Sequence, residues 1–291
     1  MPNLELEPER ELSTFRRIAL GTWRTAYDPS VYGSLTLRMD AALAYIDAFR
    51  AATGRHLTIT HLMARAAAAV LEQHPEANAI LRAGRIYRRR EIGVFFQVAM
   101  KDAATGRLDL SGATIHEPQQ KTLIEICDEL EARFAEVRAD GAGAISRARR
   151  LFSRLPLPVL PALLRLTSFA SYTLNLDLRW AGVPRDAFGS AMVTNIGSLG
   201  LEEAYVPLVP YSRVPLLVAL GAVQEEAVVE NGQIVVGKVL RCFATFDHRV
   251  LDGAHAAKMV KVLRTWIEAP FEHFDPIPLR SVPTATSAAR T

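Results

Sequence analysis

The chain has 291 residues, of which 49% are hydrophobic and 22% are charged, and its net charge is +3 at pH 7. This length allows one large domain or two modest ones, and the composition excludes an intrinsically disordered chain. The pI near 9.0 comes from many arginines and no RNA- or DNA-binding motif accompanies it, so we expect no nucleic-acid partner.

Cysteine usage and hydropathy indicate the compartment. Cys127 lies in a helical pattern and Cys242 in a strand pattern, and neither has a second cysteine at metal-binding spacing. We therefore expect two buried free thiols and no metal site. Residues 1–11 lack the apolar core of a signal peptide, and no run of 18 or more apolar residues occurs. These features predict a cytoplasmic protein.

The first half of the chain predicts a mixture of strands and helices. Residues 1–14 are polar and are predicted to be a flexible N-terminus. Alternating side chains over residues 33–40 predict a strand, and alanine-rich helices are predicted from Asp40 to Ala52 and from Leu62 to Leu71. The next predicted elements are paired strands at 86–87 and 92–100, a turn at 101–107 and an amphipathic helix at 121–138.

Residues 145–183 form a basic and apolar segment. Among its leucines and aromatic residues stand Arg147, Arg149, Arg150, Arg154 and Arg165. One interpretation is that residues 145–176 stay exposed and contact a membrane surface or another protein. The other interpretation is a helical cover over the protein's own core.

The second half predicts two long strands and a terminal helix. An apolar strand ends at Thr194, Asn195 and Gly197, and an Asn-Gly hairpin signal stands at residues 231–232. The strand after this hairpin runs into a turn and then a helical pattern from Ala254 to Leu263. Residues 276–291 are rich in Ser, Thr and Pro and are predicted to be a disordered tail.

The turn between that strand and that helix carries the most informative motif, Asp247-His248-Arg249-Val250-Leu251-Asp252-Gly253. Histidine can take up and return a proton near neutral pH, and a strand-to-helix turn can hold it rigidly at the mouth of a cleft. Asp252 stands where it can cap the helix or hold an arginine. Gly253 removes a Cβ that would block a close approach. The motif therefore predicts His248 as a general base.

This motif resembles the signature of the acyltransferase catalytic domain of 2-oxo acid dehydrogenase complexes, the dihydrolipoyl acyltransferases. The segment around Thr194 resembles the Ser-Asn-Leu-Gly element of the same family, with threonine in place of serine. Chloramphenicol acetyltransferase shares that fold, but its motif begins with two histidines. Asp247 in the first position places this chain nearer the dehydrogenase branch and makes an antibiotic acetyltransferase the weaker interpretation.

The resemblance implies an α/β fold, an α+β two-layer sandwich of the chloramphenicol acetyltransferase type with a mixed sheet covered by helices. Residues 15–275 would be the catalytic domain, with an atypical insertion at 145–183. The implied enzyme is an acyltransferase that uses acyl-CoA or CoA as substrate and holds no tightly bound cofactor. A homotrimer or a multiple of it is implied, and a separate lipoyl-bearing protein would be a partner.

Residue roles follow from the resemblance position by position. His248 would be the base, Thr194 the hydroxyl donor to the oxyanion, and Asp252 the residue that holds the loop. The positions implied for substrate or CoA binding are Asn195, Gly197, Arg249 and Gly253. A second hypothesis is a catalytically weak, trimeric scaffold, because residues 106–110 lack the proline that the family has there.

Overall fold

The computed structural model describes residues 2–8, 29–101, 108–138 and 159–278. The strands in these residues are β1 (Leu6–Pro8), β2 (Ser30–Arg38), β3 (Ala79–Arg82), β4 (Arg85–Arg89), β5 (Gly93–Lys101), β6 (Leu108–His116), β7 (Ala191–Asn195), β8 (Leu216–Glu230) and β9 (Gln233–Asp247). The α-helices are α1 (Asp40–Thr53), α2 (Ile59–Gln73), α3 (Leu123–Arg138), α4 (Leu160–Ser168), α5 (Gly253–Glu268) and α6 (Pro270–His273).

A six-stranded sheet has the strand order β2-β9-β8-β7-β5-β6. Strand β7 pairs in parallel with both β5 and β8, and the other pairs are antiparallel. A parallel pair needs a long crossover, which residues between β5 and β7 provide. The sheet is therefore mixed, as the resemblance implied.

Helices α1, α2, α3 and α5 cover one face of this sheet and share its main core. Helix α2 approaches closely because small side chains such as Ala64, Ala66 and Ala68 are fully buried in it. The other face is covered by irregular chain, where Val206 and Leu208 pack on the cluster around Phe95 and Leu217. The molecule thus has a helical layer on one side and loops on the other.

The longest strands, β8 and β9, have 15 residues each and form a hairpin, and the motif turn follows the end of β9. Asn231 and Gly232 connect them with φ values of 49° and 78°. Positive φ at both central residues is the type I′ geometry that an Asn-Gly pair favours, so the predicted hairpin is confirmed.

One prediction about the strands of the first half is wrong. Residues 86–87 lie in β4, which pairs with β1 and β3 in a separate three-stranded sheet, and not with the strand over residues 92–100. The partner of that strand is β6, which the sequence did not indicate. Gly112 lies within β6, where a Cβ would lie 2.2 Å from the Phe95 ring. This glycine and nearby polar residues interrupt the alternating pattern by which a strand is recognised in the sequence.

Residues 2–8 lie within the segment 1–14 that the sequence predicts to be flexible, and they have specific hydrogen-bond partners. The Leu4 amide donates to Asn175 Oδ1 at 2.7 Å, and Asn175 Nδ2 returns a bond to the Leu4 carbonyl at 2.8 Å. Leu4 itself is buried against Ile80 and Tyr172. Contacts with residues far along the chain hold this segment, and a local composition argument cannot register them.

The basic and apolar segment is described from residue 159 onward, so Arg147, Arg149, Arg150 and Arg154 lie outside the described residues. Tyr172 is buried, whereas Leu166, Phe169 and Trp180 are exposed, Trp180 at 85%. The segment both packs and presents apolar side chains, and its contact with a membrane or a protein stays a prediction. No helix in the described part of the chain has the length and hydropathy needed to cross a bilayer.

Candidate functional site

The turn after β9 is held by bonds to two other parts of the chain. The Asp247 amide donates to the Pro215 carbonyl at 2.9 Å, and the His248 amide donates to the Pro29 carbonyl at 3.0 Å. The apolar residues of the turn, Val250 and Leu251, are buried. The turn is therefore a fixed platform, which the strand-to-helix pattern predicted.

His248 is half-buried, and its ring contacts a backbone carbonyl within the turn. Nδ1 lies 2.9 Å from the Leu251 oxygen. A carbonyl only accepts hydrogen bonds, so Nδ1 carries the proton and Nε2 carries the lone pair of the neutral ring. The acceptor is the backbone carbonyl of the residue three positions further along the chain.

Arg249 forms a two-pronged ion pair with Asp247. Its Nε donates to Asp247 Oδ1 at 3.0 Å and its Nη2 donates to Oδ2 at 2.7 Å, while the Arg249 amide also donates to Oδ1. Asp247 is 7% exposed, and the pair holds the residues immediately before and after His248 in place. The guanidinium is engaged within the turn, and the CoA-binding role implied for Arg249 stays a prediction.

Asp252 caps helix α5. Its Oδ1 accepts from the amides of Ala254 and His255 at 3.0 and 3.1 Å, and it lies 2.7 Å from His255 Nδ1. The predicted cap is therefore present, and His255 is a contact that the sequence analysis missed. A spacing of three residues in a first helical turn is the signal that could have shown it.

Gly253 is exposed, and a Cβ built on it would meet nothing within 4 Å. The described chain therefore does not require a glycine there for its own packing. The open space is available to a substrate or to a second copy.

Thr194 is half-buried at the end of β7, between Gln97 of β5 and Ala219 of β8. The next residue, Asn195, accepts from the Ser198 amide at 3.0 Å and donates from Nδ2 to Thr60 Oγ1 at 3.4 Å. These bonds fix the loop after β7 and join it to the start of helix α2. Sequence analysis missed Thr60, since no motif links it to β7.

Gly197 has a packing role. A Cβ there would lie 2.5 Å from the Gly221 carbonyl oxygen and 2.6 Å from the Ala222 nitrogen. Only a glycine lets the loop after β7 lie directly on β8. The substrate contact implied for Gly197 stays a prediction, and its observed contacts position Thr194 and Asn195.

Thr194 on β7 and His248 just beyond β9 lie toward opposite ends of the strands. Thr194 is beside Ala219, and Ala219 is opposite Phe243 on β9. His248 lies five positions beyond Phe243, so about 16 Å separates the two residues along the strands, and two strand spacings add about 10 Å across the sheet. By these standard spacings, the backbone positions of the two residues are therefore about 19 Å apart in one copy. One copy does not bring them into a single site.

Within residues 2–8, 29–101, 108–138 and 159–278, no three His, Cys, Asp or Glu side chains converge in a way that could bind a metal ion. Both cysteines are free and buried, and burial raises the pKa of each thiol to about 12. Neither thiol is therefore activated as a nucleophile.

Comparison with known proteins gives the fold and a partial family match. Residues 186–274 match the family described as 2-oxoacid dehydrogenases acyltransferase (catalytic domain). The dihydrolipoyllysine-residue acetyltransferase component of the acetoin cleaving system from Bacillus subtilis (strain 168) is 25% identical over 217 residues, which are 75% of this chain and 43% of that protein. This chain thus spans less than half the length of that relative.

Two solved structures have the same architecture. The cubic core of the pyruvate dehydrogenase multienzyme complex superposes with a TM-score of 0.63 at 16% identity, over 91% of this chain and 93% of that chain. The dihydrolipoamide acetyltransferase of Azotobacter vinelandii gives a TM-score of 0.62 at 16% identity, with the same coverage. The predicted resemblance and the predicted fold class are confirmed.

Proposed function

We propose that this chain is a coenzyme A-dependent acyltransferase in which His248 is the general base. The observation that carries the proposal is the His248 ring, whose Nδ1 is committed to the Leu251 carbonyl on an anchored turn. This bond selects the tautomer with a basic Nε2 and fixes the direction of that nitrogen.

The chemistry assigned to His248 is proton transfer during thioester exchange. Nε2 takes the proton from the acceptor thiol, and the sulfur attacks the carbonyl carbon of the acyl thioester. The tetrahedral intermediate then breaks its bond to the CoA sulfur, and the leaving thiolate recovers the proton from Nε2. The ring ends as it began, so no cofactor is needed for the balance.

Thr194 is proposed to donate its hydroxyl to the oxyanion of that intermediate. A fixed donor aimed at the developing charge stabilises it by a few kcal/mol. Because Thr194 and His248 of one copy lie about 19 Å apart by strand spacings, the Thr194 that serves a given His248 would come from a neighbouring copy. A ring of copies with one repeated interface supplies this arrangement, and we propose a homotrimer or a multiple of it. The cubic assembly of the pyruvate dehydrogenase core supports this proposal.

Asp252 is proposed to hold the site in place without handling protons. In the Azotobacter vinelandii enzyme, the residues investigated for the catalytic mechanism are a serine, a histidine and, four positions after the histidine, an asparagine. Asp252 has that same spacing from His248. Its observed bonds to the first turn of α5 agree with a positioning role.

The proposed substrates are acyl-CoA and a thiol acceptor of the dihydrolipoyl type, or another small acceptor. The acceptor is suggested by the name of the Bacillus subtilis relative, a dihydrolipoyllysine-residue acetyltransferase. A separate lipoyl-bearing protein would then be a partner. Asn195 and Ser198 line a cavity of about 200 Å³ beside β8, which makes them candidates for CoA contact.

The test is incubation of the purified protein with acetyl-CoA and dihydrolipoamide while free CoA thiol is measured. We expect turnover that depends on both substrates and disappears in His248→Ala. A protein that assembles into trimers yet releases no CoA above the rate without enzyme would favour the alternative, a catalytically inactive scaffold of the same fold.

A further inference from the structure

An apolar cavity of about 260 Å³ lies between the sheet and helices α2 and α5. Strands β7, β8, β9 and β2 form its floor, and the two helices form its roof. Among the described residues that line it, none carries a charged side chain, and the polar side chains are those of Ser34 and Cys242. A charged or strongly polar ligand would lose its hydration there without gaining partners, so the lining selects apolar ligands.

The lining residues of the cavity come from four neighbouring strands. At the usual strand spacing, β7 and β2 are about 14 Å apart. Small residues create the room, among them Ala67 on α2, Ala244 on β9 and Ala257 on α5. Larger side chains at these positions would fill the space and join the two layers directly.

The side of the cavity at β2 is the accessible one. Strand β2 is the edge strand of the sheet, and the lining residue Ala257 on α5 is exposed. Val218 and Ala244 remain partly accessible although they lie on inner strands beneath the helices. An apolar void leaves its lining atoms without dispersion partners, and such cavities stay dry and bind apolar molecules.

We propose that this cavity binds an unbranched aliphatic chain, either free or as the acyl part of a thioester. An apolar lining that extends across four strands suits an extended chain. Phe246 lines one wall and stands two residues before His248, so an acyl chain lying there would have its carbonyl end near the motif turn. The proposal concerns binding and stands whether or not the chain catalyses acyl transfer.

Cys242 is a reporter inside the cavity. In a Cys127→Ala variant it is the only thiol. Because burial raises its pKa and makes it slow to react, its alkylation by N-ethylmaleimide is followed by mass spectrometry over many hours. Saturating decanol and decanoyl-CoA are compared, with acetyl-CoA as the control that carries no long chain. We expect alkylation to slow by about tenfold with a bound chain, the factor for a site that is mostly occupied.

Protection by both ligands would identify a site for free chains as well as thioesters, and protection by decanoyl-CoA alone would identify an acyl-group site. Protection by neither, or equal protection by acetyl-CoA, would overturn the proposal.

Two variants test the location. Ala244→Phe fills the cavity from β9, and Ala257→Trp closes its mouth from an exposed position that the fold tolerates. Ala227→Phe is the matched control, since Ala227 is exposed on the hairpin away from the cavity. We expect decanol to bind at least about tenfold more weakly, measured by titration calorimetry, in each cavity variant and normally in the control. Unchanged binding in Ala257→Trp and in folded Ala244→Phe would contradict the assignment.

Discussion

At the scale of single residues, His248 is the group on which the proposed chemistry depends. Removing the imidazole in His248→Ala should lower kcat by about 10²–10⁴-fold, the usual contribution of a general base. The KM for acyl-CoA should change little, because His248 is assigned no ground-state binding. Steady-state kinetics with dihydrolipoamide measure both values. A variant with nearly full kcat would show that another group takes the proton.

Thr194 is the second residue with an assigned role, and two substitutions separate its hydroxyl from its shape. Thr194→Val keeps the branched side chain and deletes the donor, so kcat should fall by roughly 10²-fold or more. Thr194→Ser keeps the donor and should retain most activity. Equal kcat in the valine and serine variants would place the oxyanion donor elsewhere.

His61 gives a prediction about pH and stability. It is the third residue of α2, where its Nδ1 accepts from the Thr58 amide at 3.0 Å, and its Nε2 is buried without a partner among the described residues. Burial, helped by the charges of His56 and Arg50, lowers its pKa from 6.5 to about 4. The folded-state pKa lies below the unfolded one, so the unfolded chain binds the proton first as the pH falls.

The free energy of unfolding should therefore decrease between pH 6.5 and pH 4, by up to about 3 kcal/mol from this residue. His61→Gln keeps an acceptor for the Thr58 amide and cannot titrate. Urea unfolding at several pH values should show a shallower loss of stability over this range in the variant. Parallel pH profiles for the two proteins would remove His61 as the cause.

The sequence predicted the identity of these residues better than their contacts. The motif located His248, and the glycines and Asn195 located the loop after β7. The Leu251 carbonyl that orients the ring was not predictable, because a backbone acceptor carries no residue-type signal. Thr60 was missed for a related reason, since its contact with Asn195 joins residues 135 positions apart.

At the scale of elements, a buried ion pair joins the small sheet to the loop before β7. Arg89 of β4 and Asp186 pair with side chains that are 2% and 6% exposed. The Asp186 amide also donates to Asn3 Oδ1 at 3.2 Å, which ties the N-terminal segment to the same point. Asp186→Ala should lower the free energy of unfolding by about 3–5 kcal/mol, because it leaves a buried guanidinium without its partner.

The matched control is Asp40→Ala, which breaks the largely exposed pair with Arg38 and should cost no more than about 1 kcal/mol. Chemical denaturation measures both variants. Losses of similar size would mean that the buried pair is not the clamp that the contacts suggest.

Elements with a strong periodic or turn signal were predicted well, and those set by distant pairing were not. Helices α1, α2 and α3 and the β8–β9 hairpin follow from local patterns. The assignment of β4 to one sheet and β5 to another depends on partners such as Leu6 and Ala191, which no local pattern identifies. The same limit explains why residues 2–8 were predicted to be loose.

At the scale of the whole molecule, the sheet register makes the proposed site a property of an assembly. Strands β7 and β9 run in opposite directions with β8 between them, so their C-terminal ends lie at opposite ends of the sheet along the strand direction. Thr194 stands near one of these ends and His248 just beyond the other. The resemblance predicted a trimer, and the register supplies a physical reason why a single copy is insufficient for the proposed mechanism.

Complementation between two inactive variants tests this account most directly. His248→Ala and Thr194→Val are co-expressed with different affinity tags, the mixed oligomers are isolated, and CoA release is measured. With each site built from two copies, an isolated mixed trimer should have about a third of the wild-type rate, because one of its three sites receives both intact residues. A mixed oligomer no more active than the single variants would contradict a site shared between copies.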